Sequence, residues 1–402
     1  MSTMKIKLSS NESSVRLISL NKDRTHAACY LSNLLIPIVD TNTGAIIHKY
    51  DVSNQMVGMH YQPESDNVLY AVDDSFGLHA FDTRTQTKSK TRINPERENH
   101  EATATALSGE NVVAVASSSL GCISSQQTHL VSLFDIRCTQ KPFTTYGKKH
   151  NASITSMDYN QNTLITGDTW GGVKVYDTNF CTDEKACCFE TYLNNSVTRM
   201  GFVNRNTFFA IGHEQEVNVF IDVKNKVEIL YGGVRNAISD SYVEGPCHFN
   251  GPEWVTGVII GPSGEVPLVA VHGTEGDSIL SLTGLERDGN RKKMPFYTYP
   301  GHNGQIIAFR ADKTRIFTGG ADGHLIIQPF EFDMFDGPST TNGDVNSDDE
   351  IRCAICLEAP IDPKSCKHCN QTVGCKRCIK KWCRTTLRNQ EAAQCPLCRG
   401  SW

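Results

Sequence analysis

Nine of the chain's sixteen cysteines crowd between Cys353 and Cys398. Eight of them form four Cys-x2-Cys pairs: Cys353 with Cys356, Cys366 with Cys369, Cys375 with Cys378, and Cys395 with Cys398. A Cys-x2-Cys turn directs two thiolates at one point, and zinc takes four such ligands tetrahedrally. Four pairs therefore predict two closed zinc sites. Their role is structural, because a module of about 50 residues has too small a core to fold unaided. His368 stands beside Cys369 and is the alternative ligand at that position; the all-cysteine set is the favoured one. The ninth thiol, Cys383, follows Trp382 on a predicted helix and reads as packing.

The intervals and the text between the ligands, Cys-Ala-Ile-Cys-Leu-Glu, Cys-Lys-Arg-Cys-Ile-Lys-Lys-Trp and Cys-Pro-Leu-Cys-Arg, resemble the RING family. The resemblance implies a small α+β cross-brace, with alternate pairs sharing a zinc. Cys353, Cys356, Cys375 and Cys378 would hold one ion; Cys366, Cys369, Cys395 and Cys398 the other. RING ligases bind a ubiquitin-charged conjugating enzyme (E2) and position its thioester for attack by a substrate lysine. Carried over, Ile355, Trp382 and Pro396 would form the apolar contact with that enzyme. Arg399 would hydrogen-bond both ubiquitin and its carrier, a task suited to a planar guanidinium that reaches two acceptors at once. A histone-reading PHD finger is the rival zinc module. It would place a Trp at position 393, where this chain has Ala393, and a His at the fifth ligand, where it has Cys375.

The rest of the chain must position this module and give it something to act on. With 39% hydrophobic and 21% charged residues, the 402-residue chain reads as an ordinary soluble protein of two domains. No apolar run approaches the ~18 residues of a membrane span. Met1 to Ser14 lacks the apolar core of a secretory signal. These features predict a cytoplasmic or nuclear chain with no membrane partner. From Cys353 onward nine Lys and Arg face three Asp and Glu, while the whole chain carries −5. That basic tail reads as a solvated helix face rather than a nucleic-acid footprint.

Short strands ending in Asp recur along the body: PIVD to Asp40, HAFD to Asp82, SLFD to Asp135, KVYD to Asp177 and VFID to Asp222. Their spacings of 42, 53, 42 and 45 residues give the period of four-stranded propeller blades. The long interval holds an insertion around Ser117 to Thr128. The final unit runs from Gly301-His302 through Gln305–Arg310 and Arg315–Gly319 to the turn Gly320-Ala321-Asp322-Gly323 and Leu325–Phe330. It resembles the WD-repeat family, which implies an internal His302–Thr318–Asp322 network. The usual Trp-Asp pair is replaced in every unit, and Gln328 stands where Trp is common. The sixth unit, after a polar stretch from Tyr231 to Glu253, is irregular. The seventh stops after three strands, and the alternating segment Met4–Leu8 is predicted to supply its outer strand.

The predicted architecture is an all-β seven-bladed WD40-type propeller (1–332), a flexible acidic linker (333–350) and a RING-type zinc finger (351–402). The linker contains six acidic and no basic residues, a composition that cannot bury enough surface to fold alone. Its eighteen residues would span about 20–25 Å. His79, His100, His150 and His213 fall at turns or strand edges and read as blade-packing or surface histidines rather than catalytic ones. The expected function is an E3 ubiquitin-protein ligase whose propeller recruits an unidentified protein substrate. The alternatives are a non-catalytic zinc-binding scaffold and a PHD-like chromatin reader.

Overall fold

The computed structural model describes residues 3–9, 13–63, 65–95, 97–109, 111–119, 128–214, 216–223, 226–231, 253–260, 267–273, 278–284, 297–312, 314–329, 363–366 and 372–380. The chain divides into two compact units, Met1–Phe335 and Asp336–Trp402. Among the described residues no helix is long and apolar enough to cross a membrane. The larger unit is an all-β propeller.

After β1 (Met4–Lys7), four strands make the first antiparallel sheet: β2 (Val15–Leu20), β3 (His26–Leu31), β4 (Leu35–Asp40) and β5 (Ile46–Asp51). The second holds β6 (Met56–Tyr61), β7 (Val68–Asp73), β8 (Gly77–Asp82) and β9 (Thr87–Arg92). The third holds β10 (His100–Leu107), β11 (Val112–Ser119), β12 (His129–Asp135) and β13 (Thr144–Tyr146). The fourth holds β14 (Ile154–Asn160), β15 (Thr163–Asp168), β16 (Gly172–Asp177) and β17 (Cys187–Tyr192), with the one-turn helix α1 (Asp183–Ala186) between the last two. The fifth holds β18 (Val197–Phe202), β19 (Thr207–Gly212), β20 (Val217–Val223) and β21 (Lys226–Tyr231). The sixth holds β22 (Glu253–Ile260), β23 (Pro267–Gly273), β24 (Ser278–Gly284) and β25 (Tyr297–His302).

The remaining four-stranded sheet is composite. β26 (Ile306–Ala311), β27 (Arg315–Gly320) and β28 (His324–Pro329) are completed by β1, which pairs with β28 in the register Met4↔Ile327 to Lys7↔His324. The expected seven units therefore resolve into six blades of consecutive strands and one sheet assembled from both ends of the propeller chain. Pairing by β1 covers the edge of β28 that would otherwise present a row of unpaired amides and carbonyls. It also closes the seam. Leu8, Val15, Ile18, Phe317, Leu325 and Ile327 form one buried cluster between this sheet and the first, with Met4 and Ile6 packed against it. The other described clusters likewise straddle neighbouring sheets, so the core lies as layers between blades.

The Asp-ended strands are the third strands of five successive sheets. The carboxylate accepts the amide two residues on: Asp40 from Asn42 (2.8 Å), Asp82 from Arg84 (2.9 Å), Asp135 from Arg137 (2.9 Å) and Asp177 from Asn179 (3.0 Å). Such side-chain turns stop a strand and start its hairpin. The repeat thus marks one kind of turn. The outermost strands alternate, as in β17, or are wholly exposed, as in β9, because only one face or neither meets a neighbouring blade.

The first strand of each sheet shares a further device. Every one is bulged against the second strand, and the extra residue is Arg16, Val57, Thr103, Thr155, Thr198, Thr256 or Ile307. A bulge re-aims the side chains beyond it. The same offset in all seven strands sets how the inner wall faces the propeller axis. Gly58 shows how close the blades come there: a Cβ would fall 1.8 Å from the Thr105 hydroxyl of the next blade.

Candidate functional site: the thiol hairpin, the blade networks and the propeller channel

In the smaller unit, β29 (Pro363–Ser365) and β30 (Thr372–Cys375) form an antiparallel hairpin with Pro363 opposite Cys375. Cys366 directly follows the first strand, Cys375 ends the second, and residues 376–380 turn helical at once. Cys378 lies three residues past Cys375, the spacing that puts two side chains on one side of a helical turn. Cys366 and Cys375 are buried, at 3% and 6% exposure, as are Val373 and Ile379. Soft thiols inside so small an apolar group are the donor chemistry zinc takes. In the cross-brace pairing expected from the RING resemblance, Cys375 and Cys378 would belong to one site and Cys366 to the other. The described part then contains at most two ligands of either ion, and among the described residues no group of three ligating side chains is gathered. Cys353, Cys356, His368, Cys369, Cys395 and Cys398 lie outside the described residues, as do Ile355, Trp382, Cys383, Pro396 and Arg399 and the linker 333–350.

In the propeller, His302 and its expected partners meet. Its Nδ1 lies 2.8 Å from Asp322 Oδ1 and its Nε2 2.9 Å from the Thr318 hydroxyl. Asp322 also accepts the amides of Asn303 and His324. The fourth sheet repeats the arrangement with His150, whose Nδ1 is 2.9 Å from Asp168 and Nε2 2.8 Å from Thr166. Burial lowers both imidazoles from their ordinary 6.5, despite the carboxylate beside each. Each neutral ring then donates to its Asp and accepts the Thr hydroxyl. Asp168 further accepts the amides of Trp170 and Gly172. A Cβ at Gly172 would meet that carboxylate at 2.4 Å, so the turn needs glycine there.

The second sheet reaches a similar result with different residues. Asp73 binds His79 Nε2 at 2.9 Å and Lys90 Nζ at 2.8 Å. Burial alone would raise this carboxyl, but bonds from His79, Lys90 and the Gly77 amide bring it down to about 2. His100 bonds Ser117 and Thr128. The packing role expected of His79, His100 and His150 thus has named partners.

These shifts have a pH consequence. His60, His100, His129, His150 and His302 are all held below 6.5 in the fold, His60 at about 4. The unfolded chain therefore binds protons that the fold refuses, and stability falls as pH drops from about 6.5 toward 4. Asp73, Asp168 and Asp322 are depressed carboxylates whose contribution is present above 3.8 and lost as pH falls below it, for Asp73 toward about 2. Urea midpoints measured from pH 8 to pH 4 are expected to be level down to about 7 and then to fall steadily.

The seven first strands enclose an axial channel of about 1060 Å³. Its lining includes Arg16 from β2, His60 from β6, Asp158 from β14, Arg199 from β18 and Arg310 from β26. His60 Nε2 lies 3.0 Å from the Thr105 hydroxyl. Asp158 accepts the amides of Phe202 (2.8 Å) and Tyr159 (2.9 Å), and burial raises it. Arg199 reaches past the sixth sheet to donate to the Ile307 carbonyl on β26. Sequence reasoning missed this group. The available signal was a charged or imidazole side chain inside strands otherwise apolar and small, as in Val197-Thr198-Arg199-Met200 and Ala308-Phe309-Arg310.

Compared with protein-family models and with curated proteins, the chain matches none.

Proposed function

We propose that the chain is a RING-type E3 ubiquitin-protein ligase of the WD-repeat kind, with a propeller that recruits substrate and a C-terminal two-zinc module that delivers ubiquitin. The observation that carries the reading is the array of four Cys-x2-Cys pairs with Ile355, Trp382, Pro396 and Arg399 at the positions of an active RING. Buried Cys366 and Cys375 at the two ends of a hairpin, with Cys378 one helical turn on, support a thiolate site in that module.

Zinc, when bound, cross-links loops that a small core cannot hold, and it takes no part in the transfer. This chain's residues act by orientation. Ile355, Trp382 and Pro396 seat the conjugating enzyme through an apolar contact of the kind that concentrates binding energy. Arg399 donates to the enzyme and to its ubiquitin together. The restrained thioester then meets a lysine held nearby, and the gain is one of proximity rather than covalent catalysis.

The test is ubiquitin-chain formation by the zinc-loaded full-length protein with activating enzyme and a panel of conjugating enzymes. Ile355→Ala is expected to cost about 2 kcal/mol of enzyme binding, or about 30-fold in affinity. Arg399→Ala is expected to leave that affinity within a few-fold and to lower the transfer rate at saturation at least tenfold. Wild-type activity undiminished in both variants would remove the RING mechanism.

A further inference from the structure

The axial channel carries a cationic wall that nothing in the ligase reading uses. Arg16, Arg199 and Arg310 line the channel on the side formed by β26 and β2. Arg16 and Ile307 are the bulged residues of those two neighbouring strands and so lie at one level. Arg199 brings its guanidinium to that level by donating to the Ile307 carbonyl. Arg310 follows three residues along β26, about 10 Å further down the channel at strand rise.

Three carboxylates line the channel, Asp23, Asp158 and Asp312, and the last two are engaged elsewhere. Asp312 is paired with Arg315 at 3.1 Å, at the end where β26 turns into β27. Asp158 is held by two backbone amides. Arg310 is exposed to the channel and, among the described residues, makes one long bond, 3.3 Å to the Phe309 carbonyl. Its field reaches four other blades' groups, depressing His60, Arg24 and Arg199 and opposing the rise of Asp158. Burial and Arg310 together bring Arg199 down to about 10, so it stays charged at neutral pH. Like charges are thus stacked in a concave space of the volume that takes a small ligand.

We propose that the channel is a binding site for a small polyphosphorylated anion, gripped by Arg16, Arg199 and Arg310. A guanidinium fork matches phosphate oxygens bidentately. Three forks carried by strand positions about 10 Å apart along the channel favour several phosphates in one molecule over a single carboxylate. Occupancy relieves the repulsion between Arg199 and Arg310 and ties three blades together, which stabilises the propeller by mass action. The inference stands on the propeller alone and is independent of ubiquitin transfer.

The test is calorimetric titration of the full-length protein with tripolyphosphate, beside sulfate at matched ionic strength and an acidic peptide without phosphate. The wild type is expected to bind one tripolyphosphate saturably, with a rise in the propeller's thermal transition. Arg310→Gln and Arg16→Gln each weaken binding at least tenfold; both side chains are exposed, so the unliganded transition of Arg16→Gln stays at the wild-type temperature, and that of Arg310→Gln, which loses its repulsion with Arg199, lies at or above it. Metal chelation by the probe is the same in all three proteins and cancels in the comparison. No saturable binding at millimolar tripolyphosphate overturns the proposal. So does binding undiminished in both variants, or tighter binding of the acidic peptide, which would make the channel a peptide site.

Discussion

Stripping zinc from the full-length protein is expected to unfold residues 336–402 while leaving the propeller's thermal transition in place. The reason is the size and chemistry of the smaller unit's core. Its buried side chains among the described residues are Cys366, Val373, Cys375 and Ile379. Fully burying Val and Ile contributes about 1.5–3 kcal/mol each, far below the entropy of ordering a domain of that size. Structural zinc on cysteine ligands supplies on the order of 10–16 kcal/mol at neutral pH. Cys375→Ser, which removes one thiolate from the end of β30, should have the same effect without a chelator. Limited proteolysis and loss of the unit's dispersed amide resonances would report it. A C-terminal unit that stays folded and protease-resistant with zinc removed would mean that the cysteines serve another purpose.

The second large effect concerns Asp168. It sits at 2% exposure and receives His150, two turn amides and, at 3.5 Å, the ammonium of Lys174. Lys174 is itself 1% exposed; its other partners are Glu190 at 3.7 Å and the face of Tyr192 at 5.0 Å. Asp168→Ala strands a buried cation, a loss of about 3–5 kcal/mol. Asp168→Asn keeps an acceptor for the amides and is expected to fall between. Asp73→Ala is the useful comparison, because its lysine partner, Lys90, is 47% exposed and regains water when the carboxylate goes. The ranking Asp168→Ala worst, Asp73→Ala milder, read from urea midpoints at pH 7, tests burial of the cation as the cause. Equal losses would point to the shared turn geometry instead.

Much of the propeller was legible because its signals are local. A strand-ending Asp accepts an amide two residues on, and that bond needs no distant partner, so Asp40, Asp82, Asp135 and Asp177 repeat visibly. The alternation of Met4 to Lys7 marked a strand with one inward face, and β28 is the edge it fills. His302 was readable with Thr318 and Asp322 because Gly301 and the Asp322 turn frame it. His150 has its threonine at the same separation of sixteen residues, yet Lys149 stands where the framing glycine would be. Its role was visible only as packing.

The channel was not legible, and the reason is the bulge. One extra residue in each first strand shifts the two-residue alternation, so sequence periodicity assigns Arg199 and Arg310 to faces they do not occupy. Arg199's partner is also 108 residues away. In the smaller unit the thiols announce themselves by spacing. Ile355, Trp382, Pro396 and Arg399 carry meaning through their resemblance to an active RING, which is why the proposed function turns on chemistry rather than fold.

The most direct measurement is single-turnover discharge of a ubiquitin-charged conjugating enzyme onto free lysine, with and without the zinc-loaded protein. Free lysine takes substrate recruitment out of the assay and leaves only the orienting step. The ligase reading predicts discharge accelerated at least tenfold by the wild type and returned to the uncatalysed rate by Arg399→Ala. No acceleration with any conjugating enzyme, from protein shown to hold two zinc ions, would contradict it and leave a zinc-stabilised scaffold.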